Sequence, residues 1–329
     1  MTEISIIGAG VAGLTTAKAL LDRGAKVRLF ERGDGVGPHA CSWWAGGMLA
    51  PFCEGESAEE PVVRLGTEAA AWWHNATGGV SHNGTLVVTA ARDQSDLRRF
   101  ARRTSDFVDV DVAEIARLEP DLEGRFSKGL FFGSEAHLTP RVALASLRQG
   151  LLDAGVVIEQ AEVDPQTLTG PVVDARGYTA RDALPQLRGV KGEMAMLHCP
   201  DITLSRPVRL LHPRIPLYVV PRGNGIFMLG ATMIESASGP NVTARSLLEL
   251  LSAAYALNPA FGEAEVIEIG VDNRPAFPDN LPRITREGDI LRVNGLFRHG
   301  FLLAPAMARM VAEILLDNAT PEVMHERAA

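Results

Sequence analysis

Residues 4–13 read Ile4-Ser5-Ile6-Ile7-Gly8-Ala9-Gly10-Val11-Ala12-Gly13, and this stretch decides the fold. A short apolar run stops at the glycines, a helical pattern follows, and a second apolar run, Val27-Arg28-Leu29-Phe30, ends at Glu31 and Arg32. That spacing is the dinucleotide-binding β-α-β fingerprint. Gly8 makes the tight turn, Gly10 lets the backbone approach a pyrophosphate, and Gly13 lets helix and strand pack closely. The helix start at Val11 and Ala12 turns free N–H groups and a positive dipole end toward the phosphates. Glu31 closes the second strand, where a carboxylate accepts hydrogen bonds from ribose hydroxyls and repels a 2′-phosphate.

At 329 residues the chain exceeds what one core usually fills, so two domains, or one with a large insertion, are expected. Its 46% apolar content without a biased tract is that of a soluble globular protein. The 40 acids and 32 bases are scattered, which leaves no footprint for nucleic acid. Arg98, Arg99, Arg102 and Arg103 fall together on a polar helix and read as a solvated face. Cys41, Cys53 and Cys199 show no C-x-x-C spacing and the histidines no H-x-x-x-H spacing, so neither a disulfide framework nor a metal is expected. A cytoplasmic location fits that cysteine usage. The N-terminal apolar run lacks a basic flank and is broken by glycines, unlike a signal peptide. No apolar stretch is long enough to span a bilayer.

Strand-like and helix-like segments alternate along the chain. Helices are expected over residues 60–75, 93–103, 140–153, 244–255 and 304–317, with Thr139 as N-cap and Pro140 at the first position of the third. Residues 171–177 read as a buried parallel strand returning to the first sheet. Residues 84–89, 129–132, 192–198 and 208–212 and a hairpin over 217–233, turning at Gly223-Asn224-Gly225, suggest an antiparallel sheet with one covered face. The end returns to the first sheet through residues 290–295. The predicted fold is α/β: a Rossmann-like domain over 1–79, 138–190 and 271–329, intertwined with an antiparallel substrate domain over 80–137 and 191–270.

Arg298-His299-Gly300-Phe301-Leu302-Leu303-Ala304-Pro305 sets a glycine turn before the last helix. There, backbone N–H groups and a helix dipole can stabilise negative charge on a reduced flavin, although an ordinary loop-to-helix entry reads the same way.

Ser42-Trp43-Trp44-Ala45-Gly46-Gly47-Met48-Leu49-Ala50-Pro51 resembles the flavin-contact loop of the D-amino-acid-oxidase superfamily, in particular of ThiO-type glycine oxidases of thiamine biosynthesis. The resemblance continues through Arg188 to Met194, Tyr218 to Arg222, Gly230 to Met233, Asn273-Arg274-Pro275 and Arg298 to Pro305. It implies noncovalent FAD, held by Gly8, Gly10, Val11, Ala12, Gly13, Glu31, Arg32, Ser42, Ala45, Gly47, Met48, Leu49, Val163, His299, Gly300, Phe301 and Leu302. It also implies Arg274 as carboxylate-binding arginine, Tyr218 at the flavin face, Met233 as a wall against the substrate side chain, and Arg298 near flavin and substrate. Trp43 and Trp44 stand where small residues are common in that family, and His299 where an Asn is frequent.

A guanidinium offers the paired donors that match an amino acid's carboxylate. With that end fixed, the α-carbon of a small amino acid can deliver hydride to flavin N5. The imine then yields glyoxylate and ammonia, and dioxygen yields hydrogen peroxide. No general base is required if the amine enters neutral. A sarcosine or D-amino-acid oxidase or dehydrogenase would share cofactor, fold and anchor, and a non-catalytic flavin-binding subunit is a reading of another class. Members of the family are often homo-oligomers; the sequence leaves that open.

Overall fold

The computed structural model describes residues 3–212, 216–237 and 239–326. A seven-stranded sheet has Ile4–Ile7 near its middle, between Val27–Glu31 and Val172–Asp174. Val157–Gln160 continues it on one side and Ile290–Asn294 on the other, and these five strands are parallel. Arg283–Glu287 adds an antiparallel strand, and Met324–Glu326 pairs in parallel outside it. The central strands Ile4–Ile7, Val27–Glu31 and Val172–Asp174 are buried on both faces and so need apolar runs rather than alternation, while the outer Val157–Gln160 is largely exposed.

The helices Val11–Asp22, Pro140–Asp153 and Gly300–Asp317 cover this sheet and share one apolar core with it. Thr139 precedes Pro140 at the N-cap position, but its hydroxyl makes no capping bond. The segment over 60–75 is broken into two helices, Glu60–Gly66 and Ala69–Thr77. Gly66 lies so close to the last helix that a Cβ there would stand 2.8 Å from Leu302.

That last helix begins at Gly300 rather than at residue 304, because Pro305 sits inside it instead of opening it. Pro305 has no N–H for the carbonyl four residues back, which belongs to Phe301. The buried Trp73 indole donates to that oxygen instead, at 2.8 Å. The helix therefore carries its first turn, Gly300 to Leu302, up to the cavity described below.

A second sheet has eight strands in the order Glu265–Ala276, Arg188–His198, Ile226–Gly230, Leu217–Gly223, Val208–Leu211, Thr85–Thr89, Lys128–Phe132 and Val108–Asp111. All neighbours are antiparallel except Val208–Leu211 with Thr85–Thr89. The hairpin turns at Asn224 and Gly225, both with positive φ, as a two-residue turn requires.

Both faces of this sheet are covered, not one. Leu197, Val219, Phe227 and Leu229 pack under the helix Ala244–Leu257, while Met194, Val220 and Met228 pack on the opposite side against Trp44, Met48 and Tyr218. Glu265–Ala276, for which no strand is expected from sequence, is the longest of the eight and lies along Arg188–His198. The two long strands run across residues 190/191 and 270/271. A small three-stranded sheet, Met48–Leu49, Ala136–Leu138 and Val80–Ser81, adds a further pairing.

Candidate active site

A cavity of about 450 Å³ runs from the glycine turn at Gly8 to the second sheet. At one end, Gly8 has φ +99° and a Cβ on it would stand 2.6 Å from the Ala175 carbonyl. On Gly13 a Cβ would fall 1.8 Å from the Gly8 oxygen, so helix and turn touch there. Gly10 differs: the nearest atom to such a Cβ is Ser42 Oγ at 3.5 Å, and the remaining space belongs to the cavity. The Val11 amide donates to Ser42 Oγ at 3.3 Å. Glu31 is buried at this end, where its two oxygens accept from the amides of Ala9 at 2.5 Å and Gly33 at 3.1 Å. Both bonds fix the carboxylate at the strand end before any ligand reaches it. Arg32 and Val163 line the same end.

The middle is formed by Ala45, Gly47, Met48 and the first turn of the last helix. Gly47 has φ +73° and no room for a side chain, since a Cβ would stand 2.3 Å from the Leu138 carbonyl. Arg222 reaches across from the hairpin and donates to the carbonyls of Gly46 at 2.6 Å and Leu138 at 3.0 Å, which fastens the loop. Trp44, over Gly270, and Trp43 both lie against Arg141, whose guanidinium pairs with Glu268 at 2.8 Å. The two bulky residues thus serve as a clamp between loop and second sheet.

At the far end Tyr218 rises from the hairpin between two glycines. A Cβ on Gly230 or Gly46 would stand 2.4 or 3.0 Å from its ring. Burial pushes the Tyr218 hydroxyl above its ordinary range, so it stays a donor. Arg274 extends over Gly192 and donates to the Thr232 carbonyl at 2.9 Å. The buried Glu193 takes the Thr232 hydroxyl at 3.1 Å and the Lys191 ammonium at 3.0 Å, which anchors the acceptor.

Arg298 and His299 meet an acid that the sequence does not flag. Glu54 Oε2 lies 2.7 Å from Arg298 Nη2 and 3.4 Å from His299 Nδ1. Burial raises the Glu54 carboxyl, but Arg298 and the other neighbouring cations outweigh it and hold the group at about 2. Burial lowers His299 to about 4, against the pull of Glu54, so the imidazole is neutral at neutral pH. Cys41 lines the cavity too, but burial pushes its thiol up to about 12, which removes it as a nucleophile. Asp272 lies two residues before Arg274 on the same strand, and burial raises its carboxyl.

Of the residues singled out from sequence, Gly13, Leu49 and Met233 do not line the cavity. Gly13 packs behind the glycine turn, and Leu49 is buried in the apolar core. Met233 is 53% exposed, and its sulfur lies 3.8 Å from Arg298 Nη1, at the outer side. The cavity-lining groups missed include Glu54, Asp272 and Gly46; none carried a signal, since Glu54 is only the first of four acids in the polar run that follows the quoted loop.

The cavity suits a dinucleotide cofactor on its own evidence. Gly10 leaves space that protein atoms do not fill. Asn273 Oδ1, on a cavity-lining residue, and Arg298 Nε are buried without a hydrogen-bond partner, a cost that a bound ligand can offset. The parallel sheet, its glycine turn and the second sheet facing it define a two-sheet flavoprotein of the oxidoreductase class. The chain belongs to the family described as FAD dependent oxidoreductase, DAO, which matches residues 3–314, and its cofactor is FAD.

It is 56% identical, over 97% of its length and 98% of the other, to a Rhizobium etli protein named "Putative thiamine biosynthesis oxidoreductase ThiO". It is 28% identical to a glycine oxidase of Pseudomonas aeruginosa, over 95% of this chain and 94% of that one. Among solved structures, glycine oxidase from Geobacillus kaustophilus superposes with a TM-score of 0.82 at 22% identity, covering 98% of this chain and 97% of the other. Among the described residues no helix is long and apolar enough to cross a membrane.

Proposed function

We propose that the protein oxidises glycine, or another small amine with one carboxylate, to an imine that yields glyoxylate and ammonia, with dioxygen as acceptor and hydrogen peroxide as product. The reading extends to a supply of imine or glyoxylate for thiamine thiazole synthesis, following the name of the 56% identical relative. The single observation that carries it is Arg274, a guanidinium that lines the cavity beside Tyr218 and the first turn of the last helix.

FAD, held without a covalent bond, supplies the two-electron acceptor. Gly8, Gly10 and the helix start at Val11 and Ala12, where the Val11 amide also bonds Ser42 Oγ, would hold its pyrophosphate, Glu31 and Arg32 its ribose side, and Val163 its adenine. Ala45, Gly47 and Met48 would border the ring system, while Ser42 and Gly13 belong to the glycine-turn end. The helix start at Gly300, Phe301 and Leu302, next to the neutral His299, would offer backbone donors and a dipole to a negatively charged edge of the bound cofactor.

Arg274 grips the substrate carboxylate in a two-donor pairing that a lysine could not match. Tyr218 adds a hydroxyl donor, kept protonated by burial. With the carboxylate fixed, the α-carbon is held in one orientation, and good positioning of that kind can be worth about 7–11 kcal/mol of barrier. Neither residue is asked to remove a proton; the amine enters neutral.

The test is anaerobic bleaching of the bound flavin by glycine, sarcosine, D-alanine and D-proline, followed by peroxide release in air. Rapid bleaching by glycine with peroxide on aeration is the expected result. A yellow protein that no amine bleaches overturns the catalytic reading. A sarcosine or D-amino-acid oxidase is the second reading, favoured by the exposure of Met233 outside the cavity, which leaves it unable to wall off a larger substrate.

A further inference from the structure

The cavity contains more guanidinium than one carboxylate needs. Arg274 and Arg298 both line it, and so does Glu54, the last residue of the short helix Pro51–Glu54. Arg298 Nη2 donates to Ser57 Oγ at 2.7 Å and is ion-paired with Glu54 Oε2, also at 2.7 Å, without meeting hydrogen-bond geometry there. The Glu54 side chain is 12% exposed, and Arg209 approaches its other oxygen at 3.8 Å. Arg209 does not line the cavity; its head lies over the Phe100 ring, 5.1 Å from the centroid, and 4.0 Å from Glu56. Arg274, by contrast, makes its bond to a neutral carbonyl, that of Thr232, and keeps its charge.

Resting on the oxidase reading above, we propose that Glu54 determines the charge of the substrate: by occupying Arg298 it restricts the site to amines with a single carboxylate. A pair open to solvent would be screened, but this one is largely enclosed, with the Arg298 and Glu54 side chains 20% and 12% exposed, so less water screens it. Were Glu54 uncharged, Arg298 would present its freed Nη2 together with Nε, which is buried and has no partner now. Two donors on one face of a guanidinium fit a second carboxylate. The site would then favour a dicarboxylic amine over glycine.

The experiment uses the FAD-loaded protein and reads two quantities: perturbation of the bound flavin's absorbance by acetate and by malonate, and kcat/KM for glycine and for iminodiacetate. In the parent protein malonate is expected to bind no more tightly than acetate. In Glu54→Gln malonate should gain on acetate by roughly ten- to a hundred-fold, the worth of a charged hydrogen-bonded pair, and iminodiacetate should gain on glycine in the same sense. The double variant Glu54→Gln/Arg298→Gln should lose that gain, which assigns it to Arg298.

If the amide variant does not load flavin, Glu54→Asp, with its charge drawn back by one methylene, should show a smaller gain of the same sign. A malonate-to-acetate ratio equal to the parent's in whichever variant loads flavin overturns the inference and, with glycine still oxidised, leaves the oxidase reading intact. If neither acid perturbs the flavin of any variant, the inference and the proposed carboxylate anchor fall together.

Discussion

The Arg274 guanidinium occupies the space above Gly192 on the neighbouring strand, where a Cβ would stand 2.4 Å from its Cζ. The arginine can reach the cavity because residue 192 has no side chain. Gly192→Ala is therefore expected to displace the guanidinium and raise KM for glycine roughly tenfold. Arg274→Ala, which removes the pair outright, should raise it by roughly tens to hundreds. Steady-state peroxide release checks both, and an unchanged KM in Arg274→Ala removes Arg274 as the anchor.

The glycines of the first turn should separate into two kinds. The Cβ of a side chain at Gly10 meets only Ser42 Oγ, at 3.5 Å, among protein atoms, so Gly10→Val should fold and purify as a colourless apoprotein. Gly13→Ala drives a methyl against the Gly8 carbonyl, 1.8 Å away, and should lower Tm even without cofactor. Flavin absorbance and thermal melts distinguish them; a fully yellow Gly10→Val protein would contradict the pyrophosphate assignment.

The rate should follow the substrate's proton, not the enzyme's. His299 is neutral above about 4, and Tyr218 is pushed above its ordinary value, so neither titrates between neutral and mildly alkaline pH. If the neutral amine reacts, kcat/KM should climb by about tenfold per pH unit below the amine's own pKa. A flat profile across that range argues against an unprotonated substrate.

Glu135 gives a stability prediction away from the cofactor. Burial lifts its carboxyl to about 7, above the unfolded value of about 4.3. A raised pKa of this kind contributes stability that is fully present below about pH 4.3 and lost as pH climbs through about 7. Glu135→Gln keeps an acceptor for the Cys53 amide, now 2.7 Å from Oε1, without the buried charge. It should raise Tm at about pH 8, where the charge costs up to about 4 kcal/mol, and leave it unchanged or lower at about pH 4. An equal shift at both pH values rules out the charge as the cause.

Much of this was legible in the chain. The β-α-β fingerprint is local: Gly8 and Gly13 are required by contacts within a few residues or with one neighbouring strand, so their pattern survives in sequence. The hairpin at Asn224-Gly225 is legible for the same reason. The start of the last helix was not, because Pro305 looks like a first-turn proline until Trp73, over two hundred residues earlier, satisfies the carbonyl it orphans. The strand Glu265–Ala276 went unread since its exposed Ile267 and Ile269 give a weak pattern on a sheet edge.

Sequence alone determined the parallel sheet, its glycine turn and the residue types that a carboxylate and a flavin would need, because short-range sterics and hydrogen bonding dictate them. Only the tertiary structure decided which charges meet. Glu54 and Arg298 are far apart in the chain, yet lie 2.7 Å apart in the fold. Met233, close in sequence to the strand that carries Tyr218, faces outward. Electrostatic pairing depends on distance and burial in space, and neither is written in the order of residues.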